Sequence, residues 1–476
     1  MYKDSSGSGP RLFRLNDENK KPSQNNSGPD PSYHKEGVAM STKSELIRKI
    51  EDRTARIGVV GLGYVGLPFA VEKAKVGFHV IGIEQNPVKA QKINDGLNYI
   101  LDVKDEELRL MVQQGFLEAV TDFKRIPDVD VVVVCVPTPL TINLTPDLQY
   151  IINVTQQITP FLRKGQLVTL ESTTYPGTTE EVMLPILEVS GLNLEEDFFL
   201  AHSPERVDPG NQRYTTKNTH KVVGGAGPES LAVAQTFYSQ TIENVIPVSC
   251  AKAAELTKVF ENTFRAVNIA LVNELTLLCD RMNLNVWEVL NAAFTKPFGI
   301  MPFYPGPGVG GHCIPLDPHY LEWKAKELNF NTHFIALAGE INRKMPEYVR
   351  DKALRILNRA GIAASRAKIL VIGIAYKKDI EDERESPALE VIKLLRAESC
   401  HIRYHDPFIP VWNQHGVQME SSPLTGKILE EADLVIIATD HSSINYQWLV
   451  NHAQMVFDTR NATQTVTNGR DKVTLL

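Results

Sequence analysis

Short apolar runs recur along the chain, separated by stretches in which apolar residues have helical spacing. The runs are rich in β-branched residues, which is typical of strands buried on both faces of a parallel sheet. Four runs lie in the first half of the chain and four in the second: 56–60, 78–83, 130–136, 166–170, 367–372, 401–404, 433–439 and 454–457. This rhythm predicts an α/β fold with two doubly wound parallel-sheet domains, related as a diverged internal repeat.

The segment between the two halves has a different composition. It contains no glycine or proline from 248 to 296, and its apolar residues recur at helical spacing. We predict a helix over about 251–282, roughly 45 Å long, which joins the two halves and offers a surface for self-association. The predicted divisions are a tail, a dinucleotide-binding domain, a central helical domain with a cysteine loop, and a second nucleotide-binding domain, over 1–45, 46–247, 248–345 and 346–476.

Residues 1–40 are rich in Ser, Gly, Pro, Asn and Asp, and indicate a disordered tail or a vector-derived segment, with Met40 as a natural start. The net charge of −7 argues against non-specific binding to nucleic acid or anionic membranes. No apolar run approaches the roughly 20 residues that cross a bilayer. The five cysteines, with no CxxC pair, favour a reducing compartment. We therefore expect a cytoplasmic protein that binds no metal.

A glycine-rich turn indicates the cofactor. Gly61, Gly63 and Gly66 lie between a predicted strand and a predicted helix, and Glu84 ends the next strand. In this context the glycines allow a tight turn and close approach of a pyrophosphate, which the helix N-terminus attracts. A carboxylate at 84 would accept ribose hydroxyls and repel a 2′-phosphate, so NAD is favoured over NADP. The alternative is a glycine turn that binds nothing.

The corresponding turn of the second half differs, because 373–379 contains a single glycine. We do not expect a second dinucleotide there. Lys377 and Lys378 suit the phosphates of another nucleotide, and the alternative is a solvated basic turn.

Cys313 is the candidate nucleophile. It follows Gly308, Gly310 and Gly311, so its backbone can be closely approached, and it precedes a predicted helix whose dipole should lower the thiol pKa. The other cysteines have the pattern of small buried or flanking residues. Asp317, before Pro318, has the pattern of a helix N-cap, which does not exclude a catalytic carboxylate.

Lys258 and Asn262 share one face of the long predicted helix. Lys258 either extends its ammonium group to solvent or is a buried cation that stabilises an oxyanion or a thiolate. The hydroxyl-rich turn 171–177 and the segment 203–206 are weak signals by themselves.

Together these segments resemble the UDP-glucose/GDP-mannose dehydrogenase family. They follow the family order from about 55 to 460: 61–66, 136–139, 171–177, 203–210, 258–262, 308–318, 375–379 and 384–387. The resemblance implies two Rossmann-like domains joined by a long central helix and a helical dimerisation domain. It also implies NAD as cofactor, a UDP-sugar as substrate, and a homodimer or higher homo-oligomer.

The resemblance further implies that the C6 alcohol of the UDP-sugar is oxidised twice, through a thiohemiacetal and a thioester on Cys313, to a uronic acid. Lys258 would stabilise the oxyanion, Asn262 would position substrate or water, and Asp317 would act as base. Thr173 and Glu205 would assist water and proton transfer. The implied cofactor contacts are Gly61, Gly63, Tyr64, Val65, Gly66, Glu84, Pro137, Thr138, Thr173 and Arg384. The implied substrate contacts are Glu205, Arg206, Val207, Lys258, Asn262, Tyr304, Gly310 and Lys377. Arg460 is a weaker match.

The sugar is indicated by departures from the UDP-glucose branch, which has Ser and Lys where this chain has His312 and Leu316. The loop is similar to that of UDP-N-acetylglucosamine 6-dehydrogenases, so UDP-N-acetylglucosamine is expected, with UDP-N-acetylmannosamine and UDP-glucose as the second and third candidates. An arginine that a neighbouring subunit gives to UDP-glucose enzymes has no clear match near Pro297. Two competing classes of protein are a non-catalytic nucleotide-sugar-binding protein and a single-step hydroxyacid dehydrogenase. A catalytic role is favoured because Cys313, Lys258 and Asp317 occur together.

Overall fold

The structure is a computed structural model, and it describes residues 40–100, 103–141, 143–206, 215–311, 313–414 and 417–476. The predicted substrate contact Val207, the loop residue His312 and residues 1–39 of the predicted tail lie outside the described residues. A helix begins at Thr42, inside the segment predicted as a tail, and Ser41 caps it by accepting a hydrogen bond from the Ser44 amide at 3.2 Å.

The first domain contains an eight-stranded sheet with the order β3-β2-β1-β4-β5-β6-β7-β8. Its strands are β1 Arg56–Val60, β2 His79–Ile83, β3 Leu117–Val120, β4 Val131–Val134, β5 Gln166–Leu170, β6 Phe198–His202, β7 Lys221–Gly225 and β8 Val245–Val248. Its helices are α1 Thr42–Glu51, α2 Gly66–Lys75, α3 Pro87–Asn94, α4 Asp105–Gln113, α5 Gln149–Ile158, α6 Leu184–Glu188 and α7 Pro228–Ser239. Short 3-10 turns cover Phe123–Asp128 and Thr159–Phe161, and a π-helical turn covers Thr178–Met183.

Side chains alternate between the two faces of this sheet. In β4, Val131 and Val133 pack into one core layer, whereas Val132 and Val134 pack into the layer on the other face. Helices cover both faces, which explains why the strand is apolar without interruption. The neighbouring strands that the structure describes pair in parallel except β6 and β7, which are antiparallel. The predicted doubly wound parallel sheet is confirmed, and the single reversal was not predicted.

The last domain repeats the arrangement on a smaller scale, with a five-stranded sheet in the order β10-β9-β13-β14-β15. Its strands and the strands of a separate hairpin are β9 Lys368–Ile372, β10 His401–His405, β11 Val411–Gln414, β12 Val417–Glu420, β13 Leu434–Ile437, β14 Val456–Asp458 and β15 Val473–Leu475. Its helices and 3-10 turns are α12 Pro387–Ala397, α13 Gly426–Glu431, α14 Tyr446–His452, Ala364–Arg366 and Arg470–Lys472.

The central region is helical, with α8 Ala251–Met282, α9 Val286–Phe294, α10 Asp317–Glu327 and α11 His333–Arg359. The helix α8 has the bounds that its periodicity predicts, and it ends where Asn283 adopts a left-handed conformation. Among the described residues, no helix is both long and apolar enough to cross a membrane.

Buried polar contacts fix α8 along its length. Near its start the buried Glu255 carboxylate accepts hydrogen bonds from the Gly177 amide at 2.5 Å and the Thr179 amide at 2.8 Å. Near its middle Asn273 accepts a hydrogen bond from the Gly306 amide at 3.1 Å. Near its end Asp280 accepts one from Lys352 of α11 at 2.5 Å. The helix therefore carries the turn after β5, the loop before Cys313 and α11 on one rigid element.

Candidate active site

The glycine-rich turn between β1 and α2 has the shape that a dinucleotide requires. Gly61 has a φ of +88°, and a Cβ there would collide with the Cys135 carbonyl oxygen. A Cβ at Gly66 would collide with the Gly61 carbonyl, so both positions require glycine for close packing. At Gly63, by contrast, no heavy atom lies within 4 Å of a Cβ position. The backbone there is open to a ligand at the N-terminus of α2, where a pyrophosphate is stabilised.

Glu84 lies beside this turn at the end of β2. One carboxylate oxygen accepts the Leu62 amide at 3.2 Å and the other accepts the Asn86 amide at 3.0 Å. The adjacent strand β1 lies between β2 and β4, where the strand order of the sheet reverses, and ligands of open α/β sheets bind at such points. These residues fit NAD, which supplies a hydride acceptor when bound.

The segment after β4 adjoins both this turn and the central helices. The Val136 amide donates to the Ser172 hydroxyl at 2.9 Å, and Thr173 follows, half-buried, at the carboxyl end of β5. Pro137 is exposed and Thr138 is buried, and the Thr138 carbonyl accepts a hydrogen bond from the Tyr320 hydroxyl of α10. The predicted cofactor contacts after β4 and β5 are thereby attached to the helix that begins at the cysteine loop.

Cys313 and Asp317 form the ends of one turn. The Cys313 carbonyl accepts hydrogen bonds from the Asp317 amide at 2.9 Å and the Leu316 amide at 3.2 Å. The prediction that Asp317 caps a helix is wrong, because α10 begins at Asp317 itself and its N-cap is Leu316. The Asp317 carboxylate instead accepts a hydrogen bond from the Asn262 amide group at 2.5 Å, and both of these side chains are buried.

Burial dominates the protonation of these two groups. It raises the pKa of Asp317 to about 6, although Lys258 and Asn262 act in the opposite direction. Burial also raises the pKa of the Cys313 thiol, and Asp317 adds to the rise, while the cations Lys258, Arg384 and Arg265 offset part of it. The expected lowering by the helix dipole is therefore wrong. At neutral pH Cys313 is therefore a thiol, and Asp317, one turn further along the chain, is mostly ionised.

Lys258 and Asn262 are one turn apart on α8, and both act on the Cys313–Asp317 pair. Lys258 is half-buried, so it is neither the fully solvated lysine nor the fully buried cation that the sequence left as alternatives. Arg265, three residues after Asn262, also acts on Cys313 and was not predicted. The signal for it was its spacing, because residues three and four apart lie on the same face of a helix.

The cysteine loop also contacts the last domain. The Gly311 amide donates to the Arg384 carbonyl at 3.1 Å. The Arg384 guanidinium binds the Asp382 carboxylate through Nε at 2.9 Å and Nη2 at 2.6 Å, and its carbon lies 5.0 Å from the centre of the Tyr64 ring. Arg384 thus connects the glycine-rich turn of the first domain, the cysteine loop and the last domain.

Glu205 and Arg206 follow β6. The Arg206 guanidinium binds Glu261 of α8 through two hydrogen bonds of 3.2 and 2.6 Å, which brings this turn next to Asn262. Glu205 accepts the Arg206 amide at 2.8 Å and lies 3.4 Å from the ammonium group of Lys221. Lys221 was not predicted, because a single lysine at the start of a strand gives no signal in the sequence.

The remaining predicted substrate contacts are placed differently. Tyr304 is exposed and packs on α9, with its ring 5.8 Å from Trp287 and 5.4 Å from Phe294. These described contacts do not bring it to Cys313. Lys377 is half-buried in the segment after β9. Arg460, after β14, lies against the cysteine loop, since a Cβ at Gly306 would collide with its guanidinium.

Metal ligands are not clustered in the described part of the chain, where no three His, Cys, Asp or Glu side chains are placed to hold an ion.

Comparison with known proteins follows the three regions of the fold. Residues 55–242 match the NAD binding domain of the UDP-glucose/GDP-mannose dehydrogenase family, residues 252–344 match its central domain, and residues 370–465 match its UDP binding domain. The chain belongs to this family. It is an NAD-dependent nucleotide-sugar dehydrogenase, as its resemblance implied.

Its relatives act on several N-acetylated sugars. The chain is 35% identical to UDP-N-acetyl-D-mannosamine dehydrogenase of Pyrococcus horikoshii, over 85% of this chain and 95% of the relative. It is 34% identical to UDP-N-acetyl-D-glucosamine 6-dehydrogenase of Pseudomonas aeruginosa, over 81% of this chain and 90% of that relative. Among solved structures, UDP-D-ManNAc dehydrogenase from Pyrococcus horikoshii matches with a TM-score of 0.79 and 34% identity, covering 86% of this chain and 96% of that one.

Proposed function

We propose that this protein oxidises the C6 alcohol of a UDP-N-acetylhexosamine, UDP-N-acetylglucosamine in the first instance, to the uronic acid through a covalent intermediate on Cys313. The proposal is carried by the hydrogen bond of 2.5 Å between Asn262 and Asp317, on the turn that also holds Cys313. This contact supports the proposal because it joins α8, which carries Lys258, to the turn that carries the proposed nucleophile Cys313 and the proposed base Asp317. A non-catalytic binding protein would not require that combination.

In the first oxidation the C6–H bond breaks, NAD when bound would accept the hydride, and the hydroxyl proton leaves through Thr173. The thiol of Cys313 then adds to the aldehyde carbon. Its proton passes to Asp317, and the resulting oxyanion lies beside the Lys258 ammonium, whose charge stabilises it. The covalent bond prevents the aldehyde from escaping or becoming hydrated before it is oxidised further.

In the second oxidation a second NAD, when bound, would accept a hydride from the thiohemiacetal carbon, which becomes the carbonyl carbon of a thioester. Asp317, after releasing the thiol proton to solvent, removes a proton from a water molecule that Glu205 orients. The hydroxide attacks the thioester carbonyl, and the C–S bond breaks to release the Cys313 thiolate, which takes the proton from Asp317 and becomes the thiol again. The net reaction consumes one alcohol, one water and two NAD, and yields one carboxylate, two NADH and three protons. A carboxyl group with a pKa of about 6 is suited to this role near neutral pH.

The substrate is proposed from the cysteine loop, whose His312 and Leu316 are similar to those of UDP-N-acetylglucosamine enzymes. UDP-N-acetylmannosamine is the second candidate, because a relative named for that sugar is equally similar along the chain. UDP-glucose is the third.

The functional unit is proposed to be a homodimer formed along α8. The helix exposes apolar side chains at spacings of four and seven residues, namely Phe260, Phe264, Leu271, Leu278 and Met282, which are between 40% and 62% exposed. A row of this kind is typical of a helix that packs against a partner.

The stoichiometry of NADH tests the chemistry. The purified protein is incubated with NAD and, in separate reactions, UDP-N-acetylglucosamine, UDP-N-acetylmannosamine and UDP-glucose, and NADH and the acid product are measured. We expect two NADH per acid, with the highest kcat/KM for UDP-N-acetylglucosamine. One NADH per sugar with an aldehyde product would contradict the double oxidation.

A cysteine variant tests the covalent step. Cys313→Ala should lower acid formation at least a thousandfold and leave NADH binding unchanged, because the thiol attacks substrate and does not hold the cofactor. Cys250→Ala is the matched control, since Cys250 is also half-buried but lies at the start of α8. Turnover by Cys313→Ala at the wild-type rate would exclude the covalent route.

A further inference from the structure

A buried group of charged side chains lies behind Glu205 in the first domain. Its centre is Lys221, the first residue of β7, whose side chain is 4% exposed. The Lys221 ammonium contacts three acceptors: the Glu171 carboxylate, the Pro204 carbonyl at 3.4 Å and the Glu205 carboxylate at 3.4 Å. An ammonium group has three N–H donors, so each donor has one acceptor.

Glu171 holds Lys221 from the side opposite to Glu205. The Glu171 carboxylate is fully buried, and its second oxygen accepts a hydrogen bond from the Tyr238 hydroxyl at 2.6 Å. Tyr238 is also within 3.0 Å of the Thr169 hydroxyl of β5. Burial raises the pKa of Glu171 and Lys221 offsets part of that rise. The Lys221 ammonium is therefore held by the buried Glu171 and the Pro204 carbonyl, which follow the ends of β5 and β6, whereas Glu205 is at the half-buried end of the group.

This arrangement depends on the single antiparallel pair of the sheet. Because β7 runs against β6, the start of β7 returns to the end of β6, where Pro204 and Glu205 follow His202. A parallel strand at this position would begin at the opposite edge of the sheet. The strand reversal thus places Lys221, at the start of β7, against the Glu205 carboxylate at the edge of the sheet where the candidate site lies.

The contacts of Arg206, the residue after Glu205, also fix the position of this segment. Arg206 donates to the carbonyl of His220, which precedes Lys221, at 2.5 Å and binds Glu261, which precedes Asn262. The turn that carries Glu205 is therefore fixed between the first residue of β7 and the catalytic face of α8.

We propose that Lys221 is a positioning residue of the oxidation, which holds the Glu205 carboxylate in the orientation that serves water during hydrolysis of the thioester. The proposal rests on the proposed function, in which Glu205 assists water and proton transfer. Loss of Lys221 should slow hydrolysis more than substrate binding, so the covalent adduct on Cys313 should accumulate.

The first measurement compares Lys221→Met, Glu205→Gln and the double variant with the wild type. We expect Lys221→Met to lower kcat by about 10- to 100-fold, a fraction of what positioned acid–base groups supply, with KM within about threefold. Intact-protein mass spectrometry of reactions quenched in the steady state should show the adduct. In the Glu205→Gln background the further change should be less than about twofold, because the residue that Lys221 positions is already lost.

Three further variants separate positioning from stability. Lys221→Met leaves Glu171 buried without its cation and should unfold at lower temperature, whereas Lys221→Met with Glu171→Gln removes both charges and should recover the unfolding temperature but not kcat. Lys221→Arg keeps the cation and should recover kcat to within about threefold. Lys73→Met is the control, since Lys73 is equally buried but donates to the Phe237 carbonyl at 2.8 Å, and its kcat should be that of the wild type.

Three results would overturn the proposal: recovery of kcat together with stability in the double variant with Glu171→Gln, losses from Lys221→Met and Glu205→Gln that multiply, or wild-type kcat in Glu205→Gln. The proposed function is judged separately, by NADH stoichiometry in the wild type. If the wild type gives two NADH per sugar and Glu205→Gln retains wild-type kcat, the role of Lys221 fails and the double oxidation stands.

Discussion

At the scale of single residues, burial of the Asp317 carboxylate destabilises the folded protein but makes the carboxylate a stronger base. Its carboxylate is buried between the start of α10 and Asn262, with a pKa raised to about 6 by burial. A surface aspartate would be fully ionised at that pH but would be a weak base. The buried position therefore suits the role proposed for Asp317, in which the carboxylate accepts the thiol proton and activates water near neutral pH.

The pH dependence of turnover follows from this carboxylate. Because Asp317 must be ionised to accept a proton, kcat for acid formation should fall as pH decreases through about 6. Asp317→Asn should lower kcat by about 10²- to 10⁴-fold and remove that inflection. The check is a kcat–pH profile from 5 to 9, and an inflection near 6 that persists in Asp317→Asn would exclude this base.

Asp317→Asn, which should lower kcat, should at the same time raise the free energy of unfolding. An unfolded aspartate titrates near 4, so between about pH 4 and 6 the folded protein keeps a proton that the unfolded chain has lost. The free energy of unfolding therefore decreases as pH rises through this window, and the cost persists above it. Asp317→Asn should raise the free energy of unfolding at pH 7.5 by about 1 to 3 kcal/mol, measured by urea unfolding. Asp95→Asn, at an exposed helix end, should change it by less than about 0.5 kcal/mol.

The pattern of residues singled out Cys313, but it left Asp317 as a helix cap and Lys258 as a surface lysine among its alternatives, and the resemblance to a known family was needed to group Lys258, Asn262 and Asp317 with the cysteine. The sequence was not sufficient for Lys221, whose partners are 16 and 50 residues away in the chain. It also misjudged the cap at Asp317 and the direction of the thiol pKa, because both depend on burial, which a local motif does not contain.

At the scale of elements, the cysteine loop is held by close packing rather than by its own hydrogen bonds alone. A Cβ at Gly310 would lie 2.7 Å from the Tyr376 Cβ, 2.9 Å from the Glu385 carbonyl oxygen and 2.9 Å from the Pro387 ring. These neighbours are backbone or short side chains of the last domain, and they have little room to move. The cysteine loop is thus positioned by its packing against the last domain.

Gly310→Ala should therefore displace the cysteine loop. We expect kcat to fall at least tenfold, because shifts of about 1 Å at reacting groups cost up to 10²-fold, while NADH affinity measured by fluorescence stays unchanged. Gly339→Ala is the matched control, since a Cβ there would meet only the flexible end of Arg343, and its kcat should be within twofold of the wild type. Wild-type kcat in Gly310→Ala would show that the loop adjusts freely.

Eight strands were predictable because most of them are continuous apolar runs. The predictions at Arg56–Val60 and Gln166–Leu170 have the bounds of the structure, and the others agree to within a few residues. Seven strands were not predicted, namely β3, β6, β7, β8, β11, β12 and β15. Most of them are short or polar, but β6 is apolar and as fully buried as the predicted strands. The direction of β7 could not be predicted, because strand orientation depends on pairing across the sheet and not on the composition of the strand.

At the scale of the whole molecule, the exposed apolar row on α8 bears on assembly. Burial of one leucine contributes about 1.5 to 3 kcal/mol, so several such residues facing a second copy would form a stable contact. The two halves of the chain are joined through this helix, and a dimer along it would support both.

Leu271→Asp should weaken the dimer, because the substituted carboxylate would be buried without a partner. We expect sedimentation at micromolar concentration to show a dimer for the wild type and a larger monomer fraction for the variant. Val189→Asp is the control, since Val189 is 80% exposed but lies at the end of α6, and it should remain dimeric. A monomeric wild type would contradict the proposed homodimer.

The length of α8 has a consequence for how such a chain can diverge. Glu255, Asn262, Asn273 and Asp280 hold four different parts of the molecule from one helix. Each inserted residue would rotate everything beyond it by about 100° and advance it by 1.5 Å, so no insertion restores both direction and distance. Substitutions can accumulate along the helix during evolution. Insertions and deletions between Glu255 and Asp280, however, should not occur in related proteins that keep the function. Changes in chain length should be confined to the loops.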